Sequence, residues 1–456
     1  MMSADKEVRT GAQLHPKIVE QYGLYNDPAL QEYLQELGMR LAKVSHRPEL
    51  NYRFTLLDSP VINAFALPGG YIYITRGLLS YLNSADQLAA VLGHELGHVT
   101  ARHSVRQQAA AGVAGIGYTI GSILIPELNN SVARDLFNVT STGILRGYGR
   151  EHELEADHLG ATYLARAGYE PEAMIDVIRV LKDQDSFARQ RAENEGREHQ
   201  GYHGLFSTHP DNDTRLRSVI GTATVLAKSG PRKPYDGAFL DRLEGLVFGD
   251  SSYQGIRRGS NFYHKELGIA LSFPKHWMLE NSTRQLLATA PEGLATIAMF
   301  SDTRPENMTP RQFITDKMKL KPLGAGQTLD QKNSPGYSVQ ATLPAGNKTQ
   351  PGRISVRYLG EHAYIFIAVP KEPGQLSKYD GDFLKTARSL RNLNGAEAQL
   401  AKPLRIALLR TRTPANIATL ARRSAIPNYP EIQLRLLNQL YPDKSPIAGQ
   451  VIKLVR

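Results

Sequence analysis

The chain has 456 residues and 41% apolar content, too long for one domain and too apolar for a disordered chain, so two or three domains with real cores are expected. It contains no cysteine, which excludes a disulfide scaffold. The net charge of +10 is uneven, with 21 Lys+Arg against 26 Asp+Glu in residues 1–225 and 33 against 18 in the remainder. The basic C-terminal half suits an anionic partner such as cell wall or a lipid surface, and nucleic acid is not expected.

The first residues, Met1-Met2-Ser3-Ala4-Asp5-Lys6, lack an apolar h-region, so the chain is either cytosolic or has had a signal peptide trimmed. Residues 61–73 alternate with apolar residues and break at Pro68-Gly69-Gly70, which predicts strand, turn, strand. Within that stretch Asn63, Ala64 and Phe65 are candidates for an edge strand that binds an extended substrate through its backbone. Residues 87–98 are mostly good helix formers and end in His94-Glu95-Leu96-Gly97-His98. On a helix, positions i and i+4 share a face, so both imidazoles can grip one Zn²⁺ while Glu95 stands beside it as a base.

The third ligand is not in the same run. A metzincin continues as HExxHxxGxxH, and Ala101-Arg102-His103 offers neither the Gly nor the His in place. The other common choice is a Glu on a second helix, leaving one position open for water. Arg150-Glu151-His152-Glu153-Leu154-Glu155-Ala156-Asp157 supplies candidates. Glu153 and Asp157 share a helical face, so one can bind metal while the other orients a ligand histidine; Glu155 points elsewhere. No spacing rule recruits His103, His152 or His158, which read as surface or packing residues. Between the two motifs, residues 109–125 are uncharged and Gly-rich, short for a membrane span, and read as a helical hairpin or lid. Further on, His209 precedes Pro210, and Arg215 follows. His209 could donate to an oxyanion or bind the zinc as a fourth ligand. Arg215 could stabilise the oxyanion or hold the loop of His209.

The chain is expected to be mostly helical from His98 to about Leu226, and residues 228–234 mark a linker. Phe239 to Phe248 reads as a short amphipathic helix. Residues 262–395 change character: strands are predicted at 267–273, 286–290, 295–300, 337–343, 353–359 and 363–369, with helices at 310–319 and 379–390. In residues 402–456 the order is strand (404–409), helix capped by Thr413 and running to about Ser424, helix (432–440), strand (448–454). The expected architecture is multidomain α+β. A mainly helical zincin (gluzincin) domain with a small edge sheet occupies 1–228, and a linker with a short helix fills 229–261. An antiparallel-sheet α+β domain spans 262–395, and a small βααβ unit closes the chain at 402–456.

HExxH followed by the Glu153-Leu154-Glu155-Ala156-Asp157 motif resembles the HtpX and CAAX-prenyl-protease class of zinc metallopeptidases, and among them the soluble BepA-like periplasmic members. Val61 to Tyr73 and Ser207-Thr208-His209-Pro210 with Arg215 extend the resemblance, which covers about residues 15–225. It implies one zinc held by His94, His98 and Glu153, with Asp157 behind the ligands and Glu95 as general base in peptide-bond hydrolysis. It favours His209 as an inhibitory fourth ligand. It also implies a periplasmic location and unfolded or misassembled envelope proteins as substrates. The rival is a non-catalytic chaperone or cell-wall-binding protein with a structural or latched zinc site, against which an intact Glu95 argues. Residues 262–394 resemble the PsbP/Mog-like fold. The 402–456 unit resembles a degenerate LysM module, whose relatives bind peptidoglycan glycans. Its usual Gly-Asp-Thr is replaced here by Arg412-Thr413-Pro414.

Overall fold

A computed structural model describes residues 2–110, 148–194, 215, 218–219, 221, 225, 238–281, 285–331, 333–345, 348–411 and 415–456. Of these, the residues up to Gly249 together with Leu404–Arg456 make one compact unit, and Asp250–Pro403 make another. Helices and several antiparallel sheets are present, as an α+β reading requires.

In the first unit, α1 (Ala4–Tyr22) begins at Ser3, whose hydroxyl accepts the Lys6 amide at 3.3 Å. The second helix, α2 (Pro28–Lys43), begins at Asp27, whose carboxylate accepts the Leu30 amide at 3.0 Å, with Pro28 in the first turn. Strands β1 (Arg53–Leu57), β2 (Ala64–Leu67) and β3 (Tyr71–Thr75) form a sheet in the order β1-β3-β2. β1 runs parallel to β3, and β2 runs antiparallel to it. The turn joining β2 to β3 needs glycine: Gly69 has φ 82°, and a Cβ there would come 2.6 Å from Cα of Val8 in α1. Phe65 and Leu67 cluster with Leu14 and Ile18 of α1, while Ala64 and Ala66 belong to the larger core on the other face.

That larger core is organised around α4 (Ala85–Thr100), which follows α3 (Arg76–Tyr81) and is capped by Ser84 accepting the Gln87 amide at 3.1 Å. Nearly every residue of α4 is buried, so it is a central helix and not an amphipathic surface one. Three helices come next: α5 (His103–Ala110), α6 (Arg150–Ala167) and α7 (Ala173–Asn194). α6 stops at Gly168, which takes the left-handed conformation (φ 78°). The helix expected over 239–248 is instead a 3₁₀ turn (Leu240–Leu243) and a strand, β4 (Val247–Phe248). Pairing of β4 with Leu404 and Arg405 overrides the local amphipathic pattern.

The second unit holds β5 (Ile256–Arg258), β6 (Asn261–His264), β7 (Ile269–Ser272), β8 (Met278–Asn281), β9 (Leu286–Thr289) and β10 (Ala295–Thr303). It continues with β11 (Gln327–Thr328), β12 (Gly336–Ala345), β13 (Lys348–Leu359), β14 (His362–Pro370), α8 (Leu376–Ser389) and β15 (Arg391–Asn392). A seven-stranded antiparallel sheet runs β11-β12-β13-β14-β10-β9-β8, and a four-stranded sheet runs β15-β7-β6-β5. Tyr379 and Phe383 of α8 join Tyr364 and Phe366 in one core, and Phe313 and Ile314 join Val356 and Ile365 in another. The long predicted strands are present; β5, β6 and β8, three or four residues each, are too short to leave a periodic signal.

The C-terminal segment keeps the predicted βααβ order: β16 (Leu404–Arg410), α9 (Ile417–Ala421), α10 (Pro430–Leu437) and β17 (Val451–Val455). Asn416 caps α9, its side chain accepting the Thr419 amide at 3.0 Å; Thr413 lies outside the described residues. This segment shares the core of the first unit. Its sheet runs β17-β16-β4, and Ile406, Leu434, Leu437 and Ile452 belong to the same core as Leu88 and Leu92. Buried Lys453 donates to the carbonyls of Ser80 at 2.5 Å and Leu82 at 2.9 Å. Buried Arg76 donates to Asp58 at 2.5 Å and to the carbonyl of Gly249 at 2.6 Å.

Residues 111–125, the expected linker at 228–234 and Ser207–Pro210 lie outside the described residues. Among the described residues no helix is long and apolar enough to cross a membrane. The shared core makes a prediction. Ile452→Ala, at a position fully buried, should cost about 2–4 kcal/mol. Urea unfolding followed by circular dichroism should show the transition of the first unit moved to lower denaturant. A second, independent transition for the C-terminal segment would contradict the shared core.

Candidate metal centre

The spacing of small residues sets how closely α4 and α6 approach. A Cβ on Gly97 would lie 2.8 Å from the carbonyl oxygen of Ala156, and one on Gly160 would lie 3.0 Å from the backbone nitrogen of His94. A Cβ on Gly93 would meet Leu164 at 2.8 Å. At Gly97 and Gly160 the crowding atoms are backbone, which cannot turn aside, whereas at Gly93 the Leu164 side chain could give way. The close approach brings Glu153 of α6 against the histidines of α4.

The resulting cluster is compact and buried. Nε2 of His94 and Nε2 of His98 are 3.0 Å apart, and the Glu153 carboxylate lies 3.4 Å from the first and 3.5 Å from the second. These three ligand-type atoms lie within 4.8 Å of one another, as a set that could hold one ion must. Glu95, on the same helix, is buried at 1% exposure. Asp157, one turn beyond Glu153, lies 2.8 Å from Nδ1 of His94, so that nitrogen carries the proton and Nε2 presents its lone pair to the centre.

Arg215 closes the site. Its Nε and Nη2 donate to the two oxygens of Asp157, each at 2.8 Å, and Nη1 lies 3.2 Å from Glu153. The guanidinium, expected from sequence to serve an oxyanion or a loop, is bonded to these two carboxylates. His209 lies outside the described residues. Of the expected substrate residues, Ala64 and Phe65 are on β2, with both side chains buried in cores. Asn63 precedes β2, and its backbone is tied to Thr75, whose hydroxyl receives the Asn63 amide at 3.1 Å and donates to its carbonyl at 2.9 Å.

A third histidine, which spacing alone does not reveal, stands behind His98. His103 is fully buried, with Nδ1 2.8 Å from Nδ1 of His98 and Nε2 3.1 Å from Glu155. Arg106 donates to the same Glu155 oxygen at 2.7 Å. Tyr148 stacks on the His98 ring at 4.1 Å and shares a hydrogen bond with Ser104 at 2.7 Å. The only sequence signal for this arrangement is a His at the start of the next helix, readable once the reversal at Arg102 (φ 58°) is known. His158 is exposed.

The charge of the cluster suits a cation. With Glu95, Glu153 and Asp157 ionised, Arg215 charged and the histidines neutral, the buried groups sum to −2, which a divalent ion would cancel. Without one, a proton partly takes its place. Burial disfavours the His94 imidazolium, but the Asp157 carboxylate outweighs that and lifts His94 to about 9. Burial would raise Asp157, but Arg215 outweighs that and holds it at about 2. Arg215 is pushed up by the same partners against its own burial. His103 is pushed down by burial to about 4, and the Tyr148 phenol is pushed up by burial.

Comparison with known proteins agrees with this geometry. Residues 28–223 match the model of Peptidase family M48. The chain is similar to the beta-barrel assembly-enhancing protease of Escherichia coli (strain K12), 31% identical over 210 residues covering 44% of this chain and 41% of the relative. It is similar to the same-named protease of Yersinia pestis, 31% identical over 259 residues covering 55% and 51%. It is also similar to the mitochondrial metalloendopeptidase OMA1 of Arabidopsis thaliana, 36% identical over 142 residues covering 31% and 28%. The chain thus spans about two fifths to half the length of the beta-barrel assembly-enhancing proteases it matches. Among solved structures, cyanobacterial PsbP from Synechocystis sp. PCC 6803 matches with TM-score 0.24 and 10% identity over 30% of this chain and 96% of that one. The Saccharomyces cerevisiae Ran-binding protein Mog1p matches with TM-score 0.20 and 11% identity over 28% and 92%. Likeness at that level adds nothing to the reading of the site.

Two predictions follow from the geometry. Metal and proton compete for Nε2 of His94, whose folded value of about 9 lies above its ordinary 6.5. The metal-free site therefore holds a proton that binding must expel, and zinc affinity should rise about tenfold per pH unit between pH 6.5 and 9, then level off. Chelator competition at pH 6.5, 7.5 and 8.5 reads this; a flat profile contradicts it. Gly97→Ala gains about 1 kcal/mol of helix propensity but forces a backbone contact costing about 1–3 kcal/mol. The variant should be less stable and bind zinc more weakly than wild type in the same assays.

Proposed function

We propose, from the premise that residues 28–223 form a domain of peptidase family M48, that this chain is a zinc-dependent metalloendopeptidase acting on unfolded or misassembled proteins of the bacterial envelope. The convergence of His94, His98 and Glu153 beside buried Glu95 carries this reading. The names of its relatives support it: all three are proteases or metalloendopeptidases, and the words beta-barrel assembly suggest the substrate class, from which a periplasmic location follows as part of the same reading.

In this reading His94 and His98 would hold zinc through Nε2, and Glu153 would hold it through a carboxylate oxygen. The ion, when bound, supplies a Lewis acid that lowers the pKa of water towards about 7 and polarises the scissile carbonyl. Glu95 takes the proton of the attacking water and delivers it to the leaving amine. Glu95 lies on the same helix as both histidines and is withdrawn from bulk solvent, where a charged base would be screened. Asp157 fixes the tautomer of His94, and Arg215 fixes both Asp157 and Glu153, so Arg215 is a positioning residue for the ligand set.

Substrate binding falls to β2. It is the edge of the three-stranded sheet, and among the described residues its outer side has no strand partner. Its side chains are buried, so recognition at Ala64 and Phe65 runs through backbone hydrogen bonds, which tolerate many sequences; the backbone of Asn63, also expected to bind substrate, is taken up by Thr75. In this reading His209 would serve as a latch, binding the zinc until substrate or a partner removes it. The exposed arginines of the C-terminal segment, among them Arg405, Arg410, Arg422 and Arg423, suit an anionic envelope surface such as peptidoglycan.

Cleavage of unfolded casein tests the mechanism. Glu95→Gln should lower the rate by about 10²–10⁴-fold with zinc still bound, and a chelator should abolish wild-type cleavage until zinc is restored. Wild-type rates in Glu95→Gln would sink the mechanism. His209→Ala should cleave faster than wild type; slower cleavage would turn His209 from a latch into an oxyanion donor.

A further inference from the structure

His94 and His98 both face the centre through Nε2, so each must carry its proton on Nδ1. For His94 the acceptor is the Asp157 carboxylate. For His98 it is not a carboxylate: the atom 2.8 Å from its Nδ1 is Nδ1 of His103. A neutral imidazole offers one donor and one acceptor. If His98 donates, His103 must accept on Nδ1 and carry its own proton on Nε2. Glu155 stands 3.1 Å from that Nε2 and demands a proton there, and Arg106 holds Glu155 in turn.

Resting on the reading that His94, His98 and Glu153 hold zinc, we propose that His103 is a positioning residue for the metal, a neutral relay through which Glu155 fixes the tautomer and ring orientation of His98. The two ligand histidines are thus supported differently, one by an arginine-clamped carboxylate and the other by an imidazole backed by a carboxylate. A residue serving only to fill space would need no polar partners, yet both nitrogens of fully buried His103 are bonded. Its plane is fixed as well: it stacks on His152 at 4.4 Å and meets His98 edge-on at 72°.

The fold holds His103 in place from a distant part of the chain. To return to His98, the backbone must reverse after α4, and it does so at Arg102 with φ 58°. A left-handed conformation costs a non-glycine residue about 1–2 kcal/mol. The Arg102 side chain supplies the anchor, donating through Nε to Glu7 of α1 and through Nη2 to the Met2 carbonyl. Glu7 is itself buried and receives a second arginine, Arg47, at 3.0 Å.

The test is zinc affinity by chelator competition, with the absorption spectrum of the cobalt-loaded protein as a second readout, for wild type, His103→Leu, His103→Asn and Glu155→Leu. In His103→Asn the Oδ1 falls where Nδ1 stood and still accepts from His98. His103→Leu should weaken zinc binding about 10–100-fold and alter the cobalt spectrum; His103→Asn should restore most of the loss. Glu155→Leu touches no ligand and changes a half-exposed side chain, yet should weaken zinc through the tautomer of His103. Urea unfolding of the metal-free proteins reads folding separately, and if His103→Leu does not fold, Glu155→Leu decides alone. Wild-type affinity in both leucine variants overturns the proposal, as does equal loss in His103→Leu and His103→Asn. Failure of wild type to bind zinc would overturn the metal assignment instead, which is a different result.

Discussion

Everything at the centre depends on how closely α4 and α6 lie. On each helix a row of small residues runs beside a row of functional ones. Gly93 and Gly97 flank His94 and His98, while Ala156 and Gly160 follow Glu153 and Asp157 with helical spacing. The rows of small residues meet, and a single methyl group at Gly97 or Gly160 would collide with backbone atoms. Because backbone cannot rotate away, this contact fixes the helices' separation more firmly than side-chain packing would. Glu153 reaches both histidines only at that separation.

The second constraint is electrostatic. Three acidic side chains, one guanidinium and two imidazoles are withdrawn from water within one small volume. Such a cluster is costly unless every charge has partners. Arg215 answers Asp157 and Glu153 at once, and His94 keeps a proton well above its ordinary range. The site is therefore built at some expense to the metal-free fold, and the surplus negative charge is what a divalent cation relieves. Stability and metal affinity are two readings of the same charge balance.

Much of this was legible in the sequence because the chemistry sits on helices, where spacing encodes direction. His94 with His98, and Glu153 with Asp157, are i and i+4 pairs, and the structure brings both pairs to one centre. What could not be read were contacts closed by the turn between helices. His103 is five residues past His98 and matches no helical rule, since the left-handed Arg102 separates them. Arg215 carried no spacing signal, and only tertiary structure shows which charges it meets. Strands β5, β6 and β8 were too short to be periodic. The C-terminal βααβ order was legible, but its share in the first unit's core was not, because Lys453 and Arg76 look like surface residues in a sequence.

Lys453 and Glu7 show how the helix that carries His94 and His98 is held. At its C-terminal end, Glu7 from the first helix of the chain anchors Arg102 and the reversal that carries His103. Before its N-terminal end, Lys453 from the last strand donates to the carbonyls of Ser80 and Leu82, and Gln439 bonds to Gln87 in the first turn at 2.8 Å. Burial pushes Lys453 well below its ordinary range. α4 is thus gripped at both ends by residues from opposite ends of the sequence. A metal site tolerates little ligand displacement, and these bonds tie both ends of the helix whose two histidines could hold one. A segment outside the candidate metal cluster thus shares the core with the helix that supplies two of its residues.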